Sequence, residues 1–234
     1  MSWLFDFYRS ALGKKAVMAV TGIVLFGFVF MHMVGNLKLY MGCDDHGVPK
    51  INVYAEGLRE IGAPILGHGQ ALWIARLGLL AAVGLHMLSA YQLTMINRRA
   101  RPGQGYARFT PQASTYASRT LRWGGVILLL FIVYHLMHLT LGNVHSDFVA
   151  GDVFRNVVVG FSNPLVSGFY IVAQVALGFH LYHGLWSLFQ SLGWNGPRLN
   201  TFRQRFAAAF AIIVSVANIS FPLAVLAGFV KLGA

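Results

Sequence analysis

The chain has 234 residues, of which 56% are hydrophobic and only 11% are charged. Soluble domains carry about a quarter charged residues, so this composition excludes an ordinary soluble protein. The net charge of +11 is not the signature of a nucleic-acid-binding protein, because the basic residues stand between long apolar runs. The single cysteine, Cys43, excludes an internal disulfide and a cysteine-based metal centre.

Five apolar stretches are long enough to cross a bilayer as helices, which takes about 20 residues each. In chain order we predict spans over residues 16–41, 70–97, 122–142, 164–193 and 205–231. They lack the alternating pattern of barrel strands, and the first is too long for a cleavable signal peptide. Between the first two spans, INVYAEGLREI favours a short helix at the membrane surface. The sequence therefore predicts an all-α integral membrane protein with one transmembrane domain.

The basic residues indicate which ends of the spans face the cytoplasm. One side carries six Lys and Arg together with six acidic residues. The other side has one acidic residue and twelve basic ones, namely Arg9, Lys14, Lys15, Arg98, Arg99, Arg101, Arg108, Arg119, Arg122, Arg198, Arg203 and Arg205. We therefore expect a cytoplasmic N-terminus and an outer C-terminus, as an odd number of spans requires.

Histidine is the side chain inside the predicted spans that can bind a metal ion. No acidic residue lies deep in a span, which argues against a charged transport pathway. Six of the nine histidines lie there: His32, His86, His135, His138, His180 and His183. Imidazole in hydrocarbon must be hydrogen-bonded or bound to a metal, and it is a good axial ligand for haem iron. Histidines on four consecutive helices favour a four-helix bundle with two ligands per iron, the alternative at each position being a structural hydrogen bond.

Depth along the helices predicts how these ligands pair. His86 and His180 each lie sixteen residues after the expected start of their helices, roughly 24 Å from the outer end. His32 and His135 lie roughly 15 and 10 Å from the same side. The sequence thus predicts an outer pair, His32 and His135, and an inner pair, His86 and His180. A second helix that started at Arg76 would blur these two layers.

His138 and His183 each follow a candidate ligand by three residues, on nearly the same helix face. Only one histidine of each such pair can bind the iron. Depth favours His135 over His138 and does not choose between His180 and His183. The remaining histidines could contact haem propionates or quinone, or could simply form structural hydrogen bonds.

Four segments of the chain are similar to one known family. They are FMHMVGNL with His32 and Asn36, GLHMLSAYQL with His86, RWGGVILLLFIVYH ending at His135, and FYIVAQVALGFHLYHGLWS with His180. Together they resemble the single-chain, di-haem cytochrome b membrane anchor of succinate:quinone oxidoreductases and fumarate reductases. The succinate-oxidising enzyme is succinate dehydrogenase, complex II of the tricarboxylic acid cycle. The resemblance extends over roughly residues 9–230.

The resemblance implies one axial histidine from each of the first four helices, with the first paired to the third and the second to the fourth. It thereby selects His32, His86, His135 and His180. It also implies an iron–sulfur subunit and an FAD-containing flavoprotein on the cytoplasmic side of a bacterial inner membrane. The anchor itself would be a non-catalytic electron-transfer subunit, passing electrons through two haem b groups to menaquinone or ubiquinone, with menaquinone favoured. An oligomer of the complex is compatible with the family.

Four cations are candidates for propionate or quinone contacts under this resemblance. Lys38 and Arg76 would lie near the outer haem, and Arg119 and Arg122 near the inner one. Long basic side chains that reach the lipid headgroups are the simpler alternative for all four. Some family members carry membrane glutamates linked to proton movement, whereas this chain has Gly178 two residues before His180. A transmembrane proton path is therefore not expected.

Two other functions compete with this interpretation. One is a cytochrome b subunit of a hydrogenase or formate dehydrogenase, which would also use histidines from four helices. The FHLYHGLWS segment and a cytoplasmic partner argue against it. The other is a haem-free transport protein, against which the absence of broken helices and inverted repeats counts.

Overall fold

The chain is almost entirely helical over the residues that the structure, a computed structural model, describes. These are residues 2–100, 116–191, 193, 194 and 196–233, with side chains except at 2–5, 116–122, 197 and 198. The helices in them are α1 (Ser2–Arg9), α2 (Ala11–Asn36), α3 (Lys50–Glu60), α4 (Gln70–Arg99), α5 (Tyr116–His135), α6 (Val153–Ser162), α7 (Pro164–Ser191) and α8 (Pro197–Leu226). A 3₁₀ turn, Leu37–Tyr40, extends α2, and a π-helical turn, Leu136–Thr140, extends α5. No β-strand occurs in this part of the chain, which confirms the all-α prediction.

Five of these helices are long and apolar enough to cross a membrane, as predicted. They cover Ala11–Tyr40, Gln70–Arg99, Trp123–Thr140, Pro164–Ser191 and Leu199–Leu226. Most of their large apolar side chains are exposed on the outside of the helices, where they would contact the apolar interior of a bilayer rather than water. The molecule is therefore a multi-pass membrane protein. The short helix expected between the first two spans is α3, whereas α1 and α6 were not predicted.

Capping and turn residues in the sequence explain where the long helices begin. The Ser10 hydroxyl accepts a hydrogen bond from the Gly13 amide at 3.0 Å and caps α2. Gly69, with φ of +75°, turns the chain into α4 in a left-handed conformation that favours glycine. Asn163 accepts a bond from the Leu165 amide at 2.9 Å, next to the proline that begins α7.

Four of the long helices, α2, α4, α5 and α7, pack so that two of the possible helix pairs make little contact. Helix α2 packs along α4, and α5 packs along α7, while α8 covers α7 and also contacts α2. Among the described residues, by contrast, α2 has no extensive contact with α5, and α4 has none with α7. Helix α2 also contacts α7, so the two packed pairs adjoin along that edge, and α2–α5 and α4–α7 are the diagonals of the four-helix arrangement. Residues on diagonal helices therefore approach each other mainly through their side chains.

Helices α3 and α6 cover one end of the bundle, which we call the α6 end. Asp152 accepts a bond from the Arg155 amide at 3.0 Å and caps α6. Its carboxylate also accepts a bond from the side-chain amide of Asn52 on α3 at 2.9 Å, and Oδ1 of Asn52 accepts one from the Phe154 backbone amide at 2.8 Å. Polar side chains thus join two helices that are 100 residues apart in sequence. Beneath them, Phe161, Tyr170 and Phe221 belong to a buried apolar cluster that anchors α6 to α7 and α8.

Candidate functional site

The first pair of candidate ligands, His32 and His135, meets across one of these diagonals. The ring centres lie 5.9 Å apart, and the ring planes are nearly perpendicular, at 85° to each other. Helix α2 supplies His32 one turn before its end, and α5 supplies His135 as its last residue before the π-helical turn. Phe28 stacks on the His32 ring at 5.3 Å, and Phe131 lies 5.7 Å from the His135 ring. The structure therefore brings these two histidines together near the α6 end.

The second pair, His86 and His180, meets across the other diagonal. The ring centres lie 6.2 Å apart at an interplanar angle of 64°. Helix α4 begins at Gln70 rather than at Arg76, and α7 begins at Pro164, so both histidines lie sixteen residues into their helices. At 1.5 Å per residue this is roughly 24 Å from the α6 end. The second pair is thus a separate layer, deeper than the first.

A threonine on α2 contacts the ring of His86. The Thr21 hydroxyl oxygen lies 3.2 Å from Nδ1 of His86. The hydroxyl hydrogen is directed to the carbonyl of Val17 at 2.7 Å, one turn back in the helix. Gly22, next to Thr21, also lies against the imidazole, because a methyl group there would be in van der Waals contact with its Cε1 atom at 3.5 Å. The α2–α4 contact therefore sets the position of the His86 ring.

A tyrosine on α7 contacts the two histidines of α5. The Tyr170 hydroxyl lies 3.3 Å from Nδ1 of His135 and 3.0 Å from Nδ1 of His138. The tyrosine is 5% exposed, and its ring packs between Phe131 and Phe161 at 5.1 and 4.8 Å. The hydroxyl is therefore held at one point between the two imidazoles.

His138 belongs to a buried aromatic stack that reaches α6. It is 2% exposed and lies between the rings of Tyr134, at 5.4 Å, and His145, at 4.9 Å. His145 lies within hydrogen-bonding distance of the Asn156 carbonyl through Nε2, at 2.9 Å, and accepts a bond from the Asp147 amide at Nδ1. Both ring nitrogens of His145 therefore have backbone partners, and the stack is tied to the start of α6.

Comparison with known proteins assigns the family. The sequence model described as "Succinate dehydrogenase/Fumarate reductase transmembrane subunit" matches residues 94–219, which is more than half of the chain. The chain belongs to this family. The matched residues include His135, His138, His180 and His183, whereas His32 and His86 precede them. No curated protein and no solved structure gives a significant match to the chain. The protein is thus a membrane-anchor subunit of a succinate dehydrogenase or fumarate reductase complex.

The ring spacing of the two histidine pairs is compatible with an iron between the members of each pair. A metal–imidazole bond is about 2 Å long and the ring centre lies roughly 1 Å beyond the nitrogen, so two axial imidazoles hold their centres about 6 Å apart. The separations of 5.9 and 6.2 Å match this value in both layers. Each pair also spans a diagonal on which the helices do not pack closely. The donor set, neutral nitrogen ligands in an apolar bundle, is the one that b-type haems use.

Three buried nitrogen atoms on α7 have no hydrogen-bond partner in the described residues. They are Nδ1 of His180, Nδ1 of His183 and Nε1 of Trp186, spaced three residues apart along one helix. The rings of His183 and Trp186 lie 6.2 Å apart, edge to face. A buried N–H group without an acceptor costs about 1–3 kcal/mol, so an oxygen-bearing group beside α7 would be stabilised by those of these nitrogens that carry a proton. The role of His183 as a propionate or quinone contact stays a prediction.

The predicted cationic contacts are less well supported by the structure. Lys38 lies over the ring of Tyr54 at 5.4 Å, and Arg76 lies over the ring of Trp73 at 5.0 Å. Each cation therefore has a local aromatic partner, and among the described residues neither forms a hydrogen bond or ion pair with a site histidine. The side chains of Arg119 and Arg122 lie outside the described part of the structure, as do residues Arg101 and Arg108 entirely.

One titratable cluster lies outside the membrane spans. Glu56, Glu60 and His68 bring their side-chain oxygen and nitrogen atoms within 4.8 Å of one another on the surface of the α6 end. His68 lies 2.9 Å from Glu56, and Arg59 donates to the same carboxylate. These bonds, that of His68 first, hold the pKa of Glu56 below its ordinary value. Arg59 and His68 already occupy the Glu56 carboxylate with hydrogen bonds, so this cluster is explained without a cation.

Sequence reasoning missed Tyr170, His145, Thr21 and Trp186. Tyr170 and Trp186 stood inside the FYIVAQVALGFHLYHGLWS segment, where a polar atom in an apolar helix was a usable signal. Thr21 gave none, because a lone threonine in a span commonly bonds only to its own helix. His145 follows the third span directly, but its burial depends on α6, a helix that was not predicted.

Proposed function

We propose that this anchor subunit holds two b-type haems, one between His32 and His135 and one between His86 and His180, and carries electrons between its iron–sulfur partner and quinone. Each haem iron would supply a one-electron couple, ferric to ferrous. The observation that carries the proposal is the spacing of the two ring pairs, 5.9 and 6.2 Å, on helices that otherwise stand apart.

The chain's own residues would hold the haem ligands in fixed positions and keep water away from the irons. The histidines lie on transmembrane helices rather than loops, so the ligand positions are fixed by helix packing. The apolar bundle around them keeps water from the irons, a factor that sets the potential of a haem. His183 and Trp186, whose buried nitrogens have no hydrogen-bond partner within the described part of the chain, are the proposed contacts for oxygen atoms of a haem propionate or a quinone.

We further propose the orientation that the basic residues favour. The end of the bundle opposite to α6 carries Arg98 and Arg99 at the end of α4, and it would face the cytoplasm of a bacterial cell. The iron–sulfur and FAD-containing subunits would bind there, next to the second pair. Electrons from succinate would then reach the second pair before the first, and menaquinone is the quinone that we favour.

Spectroscopy of the purified complex tests the haem assignment. We expect two haems per complex and a low-spin, six-coordinate spectrum. His86→Ala or His180→Ala should remove one spectral component, and His32→Ala or His135→Ala should remove the other. As a matched control, His46→Ala, at an exposed position outside the spans, should leave both components unchanged.

Two results would contradict the proposal. Absence of a Soret band in the intact, succinate-active complex would indicate a haem-free anchor. If all four substitutions left both haems in place, the ligands would be other residues.

A further inference from the structure

The hydrogen-bond partner of an axial histidine determines which of its nitrogens is available to the iron. A neutral imidazole carries one proton, and the nitrogen that binds a metal carries none. An acceptor placed at Nδ1 therefore keeps the proton there and leaves Nε2 free to bind. This inference rests on the proposed function, since it concerns the ligands of the two haems.

At the second pair, α2 supplies two acceptors to the His86 ring, the Met18 backbone carbonyl and the Thr21 hydroxyl oxygen. Because the Thr21 hydroxyl donates its own hydrogen to the Val17 carbonyl at 2.7 Å, its oxygen acts as an acceptor at 3.2 Å from Nδ1 of His86. A hydroxyl whose hydrogen is already directed elsewhere favours one tautomer of His86, the one with the proton on Nδ1. The Nε2 atom is left as the nitrogen that can bind iron.

At the first pair, the acceptor is Tyr170, and His138 determines the direction of its bond. The Tyr170 hydroxyl has one hydrogen and two imidazole neighbours, His135 and His138. Donation to His138, the shorter contact at 3.0 Å, leaves the oxygen free to accept the Nδ1 proton of His135 at 3.3 Å. The stack with Tyr134 and His145 holds the His138 ring in place to receive that bond.

We propose that Tyr170 and Thr21 are positioning residues for the two haems, and that His138 orients the Tyr170 hydroxyl rather than binding iron. Each hydroxyl oxygen accepts the Nδ1–H of one axial histidine, which fixes its tautomer and makes the ligand more basic. A more basic ligand stabilises ferric iron, so each hydroxyl lowers the reduction potential of one haem. This assigns a role to the second histidine of α5.

Redox titration of the intact complex, followed by haem absorbance and by the low-temperature magnetic resonance spectrum of each ferric haem, tests the assignment. Tyr170→Phe keeps the ring and removes the hydroxyl, and it should raise the potential of the His32–His135 haem only. Thr21→Val should raise the potential of the His86–His180 haem only, and Thr21→Ser should restore it. We expect the reduced-to-oxidised ratio of the affected haem to rise about threefold to tenfold at a fixed ambient potential, or about 30–60 mV.

Matched variants separate this role from a general structural effect. Tyr91→Phe changes an exposed tyrosine on α4 that is outside the His138 stack, and Thr94→Val removes a hydroxyl that, among the described residues, bonds to the Ala90 carbonyl of its own helix. Both should leave the two potentials unchanged. If Tyr170→Phe prevents assembly, the Thr21 variants still test the rule at the other haem.

The possible failures are distinguishable. A complex without haem would contradict the proposed function. A complex with both haems whose potentials are unchanged in Tyr170→Phe and Thr21→Val, or change equally in both variants, would overturn this inference and leave the haem assignment standing.

Discussion

The close approach of α6 to the His138 ring makes Gly160→Ala a sharp test of the packing at the α6 end. A β-carbon at position 160 would lie 2.7 Å from Cε1 and 2.9 Å from Nε2 of His138. It would also lie 3.2 Å from Nε2 of His145. All three distances are shorter than ordinary contacts between carbon and nitrogen atoms. The glycine is therefore required by the histidine stack rather than by its own backbone conformation.

The size of the effect follows from two opposing contributions. His138 is 2% exposed and lies between Tyr134 and His145, so it cannot rotate away and the α6 backbone must move. Overpacking of this kind costs about 1–3 kcal/mol. Alanine is preferred over glycine within a helix by about 0.5–1 kcal/mol, which offsets part of this cost. We expect a net loss of about 0.5–2 kcal/mol in the free energy of unfolding.

Thermal unfolding of the purified complex in detergent, followed by circular dichroism, measures this loss. At about 2–4 °C per kcal/mol for a chain of this size, the midpoint should fall by about 1–8 °C. Gly168→Ala is the matched control, because that glycine lies in α7 with no atom within 4 Å of the added methyl group. The control should have an unchanged or slightly higher midpoint. Equal midpoints for the two variants would refute the described approach of α6 to His138.

Two further predictions concern the polar contacts of the α6 end. Asp152→Ala removes both the cap of α6 and the acceptor for Asn52, so the free energy of unfolding should fall by about 1–2 kcal/mol. Asp152→Asn keeps an acceptor oxygen and should lose less stability, and the thermal midpoints of the two variants measure the difference. Because bonds from His68 and Arg59 lower the folded-state pKa of Glu56, its contribution to stability is present above the ordinary pKa and is lost as the pH falls through the lowered one. His68→Gln should weaken this pH dependence when the midpoint is followed through the acidic range, and an unchanged profile would contradict it.

The number of spans and the grouping of the histidines follow from features that are local in sequence. Length and hydropathy predict a membrane helix without knowledge of its neighbours, because lipid forces every backbone group to bond within its own segment. The ends are also local, since Gly69 and Pro164 start α4 and α7. Once these starts are known, the rise per residue places His86 and His180 at equal depth.

The surroundings of the ligands could not be predicted in the same way. Whether Thr21 faces His86 depends on the rotation of α2 against α4, and an almost uniformly apolar helix carries little periodic signal for that rotation. The π-helical turn after His135 changes the direction of His138, and no residue in LMHLT signals it. Helix α6 is apolar but only ten residues long, too short for a span, so hydropathy alone did not separate it from a loop.

The two candidate haem sites differ in how many residues are linked to them through hydrogen bonds and ring stacking. The contact to His86 ends at Thr21, within two helices that pack along each other. The contact to His135 continues through Tyr170 to His138 and its stack, and from there to the backbone of α6. Within the described residues, a structural change at the α6 end can therefore reach the first pair through a chain of direct side-chain contacts. No similar chain of contacts links the α6 end to the second pair in this part of the structure. If each pair binds a haem as proposed, we therefore expect a substitution at the α6 end to change the potential of the His32–His135 haem more than that of the His86–His180 haem.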